Sequence, residues 1–323
     1  MSVLVIGGEG YIGKVLVSNL AKEYEVTSLD NLIYGQRPSD IEKNYSFINI
    51  DIRDFEKVKN IIKKFDTVIL LAGLVGDPVS KKYYELAKSI NDSAIINIIN
   101  FCSEINTNRF VFISTCSNYG NVPINSDANE LTDLKPLSYY AKSKVNAEKL
   151  LMSKKNKTLM NPTILRFATA FGLSPRMRFD LTVSEFVKEL YIGNELEIFY
   201  PNTWRPYCHV NDFSILIKKI ISEPLEKISF QIYNAGSNEN NASKQIILDK
   251  ILKYIPNGSF KYVKSGDDLR NYKVNFDKVN RELGFKPKFS IEYGIEELIQ
   301  SFKEGKFLDI EKNILKYGNY EIK

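Results

Sequence analysis

Tyr140 and Lys144 stand four residues apart in SYYAKSKVNAE. That spacing is one helical turn, so both side chains share a face. A tyrosine hydroxyl acts as a base near neutral pH only when positive charge lowers its pKa, and a neighbouring ammonium is such a charge. Tyr139 competes for the role, but it lies five residues from Lys144 and on a different face. Thr115 ends the apolar run FVFIST, 25 residues before Tyr140, where its hydroxyl can bond a substrate oxygen beside the tyrosine.

A second cluster precedes these. Gly7, Gly10 and Gly13 form GxxGxxG directly after an apolar run and at the start of a helical pattern. Glycines there let the backbone approach a pyrophosphate, and the helix N-terminus offers free N–H groups. Asp30 follows 17 residues after Gly13, where a carboxylate accepts both ribose hydroxyls and repels a 2′-phosphate. The expected cofactor is therefore NAD rather than NADP. The competing reading is a plain glycine turn with Asp30 as a helix cap. Tyr11 and Ile12, between the glycines, and Asn31, after Asp30, join the candidate cofactor site. Asp51 and Ile52 of DIRD are placed to border an adenine. Leu71, Ala72 and Gly73 of LLAG keep a strand end small enough for a cofactor to pass.

These residues need a scaffold that aligns strand ends. Apolar runs at Val3–Ile6, Val26–Leu29, Ser46–Asn49, Thr67–Leu71, Phe110–Ser114 and Thr163–Phe167 read as strands. Amphipathic stretches at Tyr11–Lys22, Asp54–Lys63, Lys81–Glu104 and Tyr139–Ser153 read as helices between them. Continuous apolar strands alternating with helices imply a parallel sheet covered on both faces, wound as an α/β doubly wound Rossmann fold. After about residue 172 the pattern is irregular, with FQIYNAG a strand that returns to the first part. The expected division is a dinucleotide-binding domain at 1–172 and a smaller mixed α/β C-terminal substrate lobe at 173–323.

Composition narrows the function. The chain has 323 residues with 44 Lys plus Arg against 39 Asp plus Glu, a net charge of +5. Of these cations 35 are Lys, interspersed with acids as on a solvated surface, and no basic run alternates with aromatics. Nucleic acid is therefore not an expected partner. Three scattered Cys without CxxC suggest neither a disulfide framework nor a zinc site, and no metal is expected. No apolar stretch approaches ~18 residues, so no membrane span is expected. A reducing cytoplasm is the expected compartment.

GGEGYIG, Asp30, LLAG, STCSNYG and YAKSK, in this order and spacing, resemble the extended short-chain dehydrogenase/reductase family, the NAD-dependent nucleotide-sugar epimerases and dehydratases. The resemblance covers nearly the whole chain. It implies that Thr115, Tyr140 and Lys144 are the catalytic triad, with Tyr140 taking a proton from a sugar hydroxyl, usually at C4. It also gives Asn91 a supporting role beside the cofactor, and implies tightly bound NAD or NADH and a homodimer. The dimer would form through the Lys81–Glu104 and Tyr139–Ser153 helices. Ile95, Ile98, Ile99, Leu150 and Leu151 on them read equally well as interface or core.

Within that family, dehydratases carry Asp-Glu after the Thr. Cys116 and Ser117 occupy those places here, which argues against 4,6-dehydration. Thr169 stands where UDP-galactose 4-epimerase has an Asn, so the sugar contacts differ. The segments FATAFGLSPRMRFDLTVSEF and TWRPYCHVND resemble a subgroup from capsule and lipopolysaccharide clusters that includes a GDP-heptose 4-dehydrogenase. Arg205 and Arg270 match family residues that contact the nucleotide and the diphosphate, a task suited to guanidinium forks. Arg176 and Arg178 lie in the loop where the family builds its substrate site, and surface pairing is an equal reading for both. Ser117, beside the triad, and Thr169 complete the candidate substrate set. The expected activity is NAD-dependent oxidation at C4 of a nucleoside-diphosphate sugar, ending in dehydrogenation, epimerisation or keto-sugar reduction. A rival from another class is an NAD-sensing binding protein without catalysis.

Overall fold

A computed structural model describes residues 1–123, 125–264 and 270–322. The first part lays down β1 (Ser2–Ile6), α1 (Tyr11–Leu20), β2 (Glu25–Asp30), β3 (Tyr45–Asn49), α2 (Phe55–Ile62) and β4 (Thr67–Leu70). It continues with α3 (Asp77–Lys82), α4 (Tyr84–Lys88), α5 (Ile95–Glu104), β5 (Arg109–Thr115), β6 (Asp127–Ala128), α6 (Tyr139–Ser153) and β7 (Pro162–Phe167). Then come β8 (Thr169–Phe171), α7 (Thr182–Tyr191), β9 (Leu196–Phe199), β10 (Trp204–His209), α8 (Val210–Ser222), α9 (Leu225–Ile228) and β11 (Gln231–Ala235). The last are β12 (Asn241–Ser243), α10 (Lys244–Leu252), β13 (Phe260–Val263), β14 (Lys273–Val274), α11 (Asp277–Leu283) and α12 (Ile291–Lys303).

Seven strands form one parallel sheet in the order β11-β7-β5-β4-β1-β2-β3. The order reverses between β1 and β4, the switch point where such sheets open a crevice at their carboxyl ends. Every residue from Val3 to Ile6 and from Val68 to Leu70 is wholly buried. Only strands covered on both faces tolerate such unbroken apolar runs. The seventh strand, β11, comes from beyond residue 173, and helix α8 of that half lies against α1. The remaining strands form small sheets, β12-β10-β8, β13-β9 and β14-β6, of which β8 and β10 reach the cleft.

The expected single helix over Lys81–Glu104 is broken. The backbone leaves the helical region at Tyr83 (φ −116°, ψ 55°), between α3 and α4. Residues Ser89–Ala94 then form a π turn before α5. A π turn carries one extra residue and re-aims the side chains within it. Here it accompanies an inward Asn91, whose Oδ1 accepts from Leu74 N–H (2.8 Å) and whose Nδ2 donates to Leu74 C=O (3.0 Å). Ile95, Ile98, Ile99 and Leu151 are wholly buried within the chain, and Leu150 packs against the same cluster, so they are core rather than an open helix face. Among the described residues no helix is long and apolar enough to cross a membrane, and no cluster of His, Cys, Asp and Glu could hold a metal ion.

Candidate active site

A cleft of about 1410 Å³ runs along the carboxyl ends of the sheet. That exceeds the ~300–1,000 Å³ of a typical single-ligand pocket. Its adenosine end is made of backbone. Gly7 has φ +91°, and a Cβ there would lie 2.6 Å from Ala72 N, so only glycine lets β1 and β4 end side by side. A Cβ at Gly13 would lie 2.4 Å from Gly7 O, so this glycine seats α1 against the turn. Helix α1 begins at Gly10 with no side-chain cap and no acid in its first turn. Its amides are therefore placed for a pyrophosphate. Ile12, Asn31, Ile52, Leu71, Ala72 and Gly73 line the same cleft. The Tyr11 side chain also lines it, but its hydroxyl turns away to donate to Gly172 O (2.6 Å).

Asp30 ends β2 with its carboxylate held by Glu9 N–H (3.0 Å) and Leu32 N–H (2.9 Å). Burial raises its pKa against these two bonds. Beneath it lies Glu9, fully buried, which the sequence reading passed over. Its carboxylate accepts from Ser28 Oγ (2.6 Å), Tyr45 Oη (2.6 Å) and Ser39 Oγ (2.9 Å), and Lys14 Nζ stands 3.3 Å away. Burial alone would raise the Glu9 pKa; the three hydroxyl donors and Lys14 carry it below its ordinary value. A charged residue among phosphate-loop glycines was the available signal. Asp51 is not among the residues that line the cleft, although its neighbours Ile50 and Ile52 are. It pairs with Arg53 (2.7 Å), whose hydrogen bond drops its pKa to about 2, and it accepts from Asn31 Nδ2 (2.8 Å). Asn91 also lies outside the lining and fastens the loop after β4 instead.

The centre of the cleft holds Thr115, Tyr140 and Lys144. Thr115 closes β5, and its Oγ1 accepts from Ser117 N–H (3.1 Å), which leaves its own hydrogen to donate. Ser138 Oγ caps α6 by accepting from Ala141 N–H (3.2 Å), which starts the helix just before Tyr140. Lys144 Nζ lies 5.9 Å from the Tyr140 ring centre and donates to Ile113 O (2.8 Å). Burial pushes the Lys144 pKa down to about 7, against the pull of Glu148. The sequence pattern implied a lowered Tyr140 pKa; in the protein alone burial raises it, Asp77 adds to the rise and Arg178 opposes it. Glu148 lies one turn after Lys144, buried with Arg166, which it holds through both carboxylate oxygens (2.7–3.1 Å). It also accepts from Ser114 Oγ (2.5 Å) and Asn118 Nδ2 (2.8 Å), so one carboxylate ties α6 to the end of β5.

Four arginines line the cleft, of which Arg176 lies close enough to Asp30 for their charges to interact. Arg178 holds Asp180 through two bonds (3.1 and 2.5 Å). Arg176 donates to Gly318 O (3.1 Å) and lies over the Tyr34 ring, and burial with repulsion from Arg178 lowers its pKa to about 10. Arg205 lies over the Tyr272 ring and donates to Trp204 O (2.8 Å) and Arg270 O. Arg270 Nη1 meets Asp77 Oδ2 at 2.9 Å and Ser117 Oγ at 3.4 Å. Thr169 lines the cleft from β8. All four arginines, Ser117, Thr169 and the triad therefore share one cavity with the glycine turn.

Residues 3–236 match the profile of the NAD dependent epimerase/dehydratase family. The chain is 26% identical to UDP-glucuronate 4-epimerase of Thermodesulfobacterium geofontis, over 93% of this chain and 96% of that protein. It is 25% identical to the low-salt glycan biosynthesis protein Agl12 of Haloferax volcanii, over 94% and 98%. Its fold is similar to the crystal structure of Thermus thermophilus UDP-glucose 4-epimerase in complex with NAD, with TM-score 0.82, 25% identity and coverage of 94% and 99%.

Proposed function

Because the chain belongs to the NAD dependent epimerase/dehydratase family, we propose that it oxidises C4 of a nucleoside-diphosphate sugar during surface polysaccharide synthesis. The observation that carries this reading is the single cleft in which Thr115, Tyr140 and Lys144 lie between a glycine-and-carboxylate cofactor end and an arginine-bearing end. Residues 1–172 carry the cofactor and the triad in this reading, and most of 173–323 selects the substrate.

The residues present fit NAD: free amides at the start of α1, small residues at the end of β4 and Asp30 at the end of β2. Bound NAD supplies a hydride acceptor and a positively charged ring. The chain handles the proton. Tyr140 Oη takes it from the sugar hydroxyl, and Thr115 Oγ1 donates to that same oxygen and fixes its position. A buried phenol with a raised pKa releases its own proton only beside positive charge, and Lys144, one turn along α6, brings it. With a pKa near 7, Lys144 supplies that charge to a degree set by pH. Arg205 and Arg270 draw the diphosphate to the far end and bring the sugar beside the triad.

Cys116 and Ser117 after Thr115 provide no acid–base pair for removal of water, so the products in this reading are a 4-keto sugar or its C4 epimer, with GDP-heptose 4-dehydrogenation as the specific form. Tyr140→Phe tests the chemistry: kcat should fall by about 10²–10⁴ with NADH binding unchanged. Full activity in that variant would sink the mechanism, whereas a wild-type protein that binds NAD and turns over no nucleotide sugar would favour the NAD-sensing alternative. Incubation with UDP-, GDP-, CDP- and dTDP-sugars separates the outcomes. A 4-keto product with equal NADH marks a dehydrogenase; an epimer without net NADH marks an epimerase.

A further inference from the structure

Asp77 is one of three acidic residues lining the cleft, with Asp180 and Glu185, that the mechanism above leaves unused, and the one of them paired with Arg270. It is the first residue of α3, in the loop that follows β4. Its Oδ2 is held by Arg270 Nη1 at 2.9 Å, across the cleft from the segment before β14. The same Nη1 reaches Ser117 Oγ at 3.4 Å, two residues after Thr115. Asp77 therefore stands one guanidinium away from the hydroxyls beside the reacting oxygen. Its other oxygen, Oδ1, is buried and has no hydrogen-bond partner among the described residues. Its charge also reaches the Tyr140 hydroxyl.

We propose that Asp77 binds a hydroxyl of the substrate's sugar and selects neutral sugars over uronates. The inference rests on the nucleotide-sugar reading of the cleft. Arg270, which that reading gives to the diphosphate, holds Asp77 in the protein alone. A diphosphate with two negative charges competes for that guanidinium. As Arg270 turns to it, Asp77 loses its partner, and Oδ1 already lacks one. A carboxylate only accepts hydrogen bonds, and an unpaired one inside a cleft is strongly disfavoured. The donors that arrive with the substrate beside Tyr140 are sugar hydroxyls. Arg178, a guanidinium whose charge reaches Tyr140, is held through two bonds by Asp180, so its charge is already balanced. A sugar carboxylate placed here would face Asp77 as a like charge in a partly desolvated site. The related UDP-glucuronate 4-epimerase acts on a uronate, so the preference would separate this chain from that relative.

The test is calorimetric, on the NADH-loaded protein. Binding is measured for UDP, UDP-glucose and UDP-glucuronate, and for GDP, GDP-mannose and GDP-mannuronate. For whichever base binds, the neutral sugar nucleotide is expected at least tenfold tighter than the uronate. Asp77→Asn should shrink that gap to threefold or less, chiefly by tightening the uronate, and Asp77→Glu should keep the gap. Unchanged NADH binding shows that each variant is folded. Equal wild-type affinity for the two sugar classes overturns the inference alone. So does an Asp77→Asn variant that weakens UDP or GDP and both sugars alike, which would make Asp77 only a holder of Arg270. A protein that binds none of these and also none of CDP, dTDP and their sugars overturns the nucleotide-sugar reading, and the inference with it.

Discussion

The two ends of the cleft each carry a buried or half-buried carboxylate beside a cation, and they are built in opposite ways. At the adenosine end, Glu9 receives three hydroxyls and an ammonium, and all but Tyr45 and Ser39 come from the first 30 residues. At the sugar end, Asp77 is joined to Arg270, 193 positions later in the chain, and one of its oxygens has no partner among the described residues. The first arrangement is complete without a ligand. The second is balanced only until something competes for the arginine. A fully satisfied polar network fixes one geometry, whereas a half-satisfied one stays responsive to what enters. The cofactor end is thus suited to retention, and the sugar end to exchange and choice.

Four substitutions can break or sharpen that contrast. The largest effect is expected from Gly13→Val, whose Cβ would sit 2.4 Å from Gly7 O and 2.7 Å from the Gly8 backbone. NADH binding, followed by fluorescence, should be lost; retained binding would mean that the adenosine end is not held by backbone fit. Glu9→Gln comes next. Removing one charge of a buried pair should cost about 3–5 kcal/mol in urea denaturation. Because the Glu9 pKa lies below its ordinary 4.5, the wild-type advantage is full above that pH and fades as pH falls through the folded value. A change below ~0.5 kcal/mol would show that the network adds no rigidity.

Lys144→Met joins the two ends. Burial lowers the lysine pKa from 10.5 to about 7, so between those values the unfolded chain binds the extra proton. Wild-type stability should therefore rise with pH across that window relative to Lys144→Met, as read by melting temperature. A flat difference would mean that the ammonium is not desolvated. The smallest effect belongs to Arg281→Ala. Arg281 is exposed, and its only described ion pair, with the adjacent Glu282, spans 3.4 Å. Stability should stay within about 0.5 kcal/mol and nucleotide-sugar affinity should not move.

The same contrast explains what the sequence disclosed. Apolar runs and glycine spacing are patterns within a short stretch of chain, so β1, β2, β4 and β5 and the Gly7–Gly13 turn were legible, and α6 spans the expected Tyr139–Ser153. The break at Tyr83 and the π turn that holds Asn91 were not legible, because apolar spacing continues through both and Asn91 meets its partner Leu74 only in the fold. Asp51 reads as an adenine neighbour by position, and its pairing with Arg53, two residues on, is a contact that strand spacing does not disclose. Asp77 sat in GDP, a turn-like signature before an expected helix, and its partner is nearly two hundred residues distant. Periodicity describes what a residue does to its own element and is silent on which remote charge it will meet.

The return of β11 to the sheet has a further consequence, for the time course of folding. Until residues Gln231–Ala235 are in place, β7 is the border of a six-stranded sheet with its outer backbone groups unpaired. Its residues are entirely buried in the finished protein and, Thr163 and Arg166 apart, apolar, so that border is mostly apolar while it waits. An exposed apolar border is a template for pairing with other chains, and a contact spanning some 70 positions is slow to close. A chain cut near residue 172 would keep this border permanently and should aggregate, whereas the intact chain seals it with a segment from beyond residue 173.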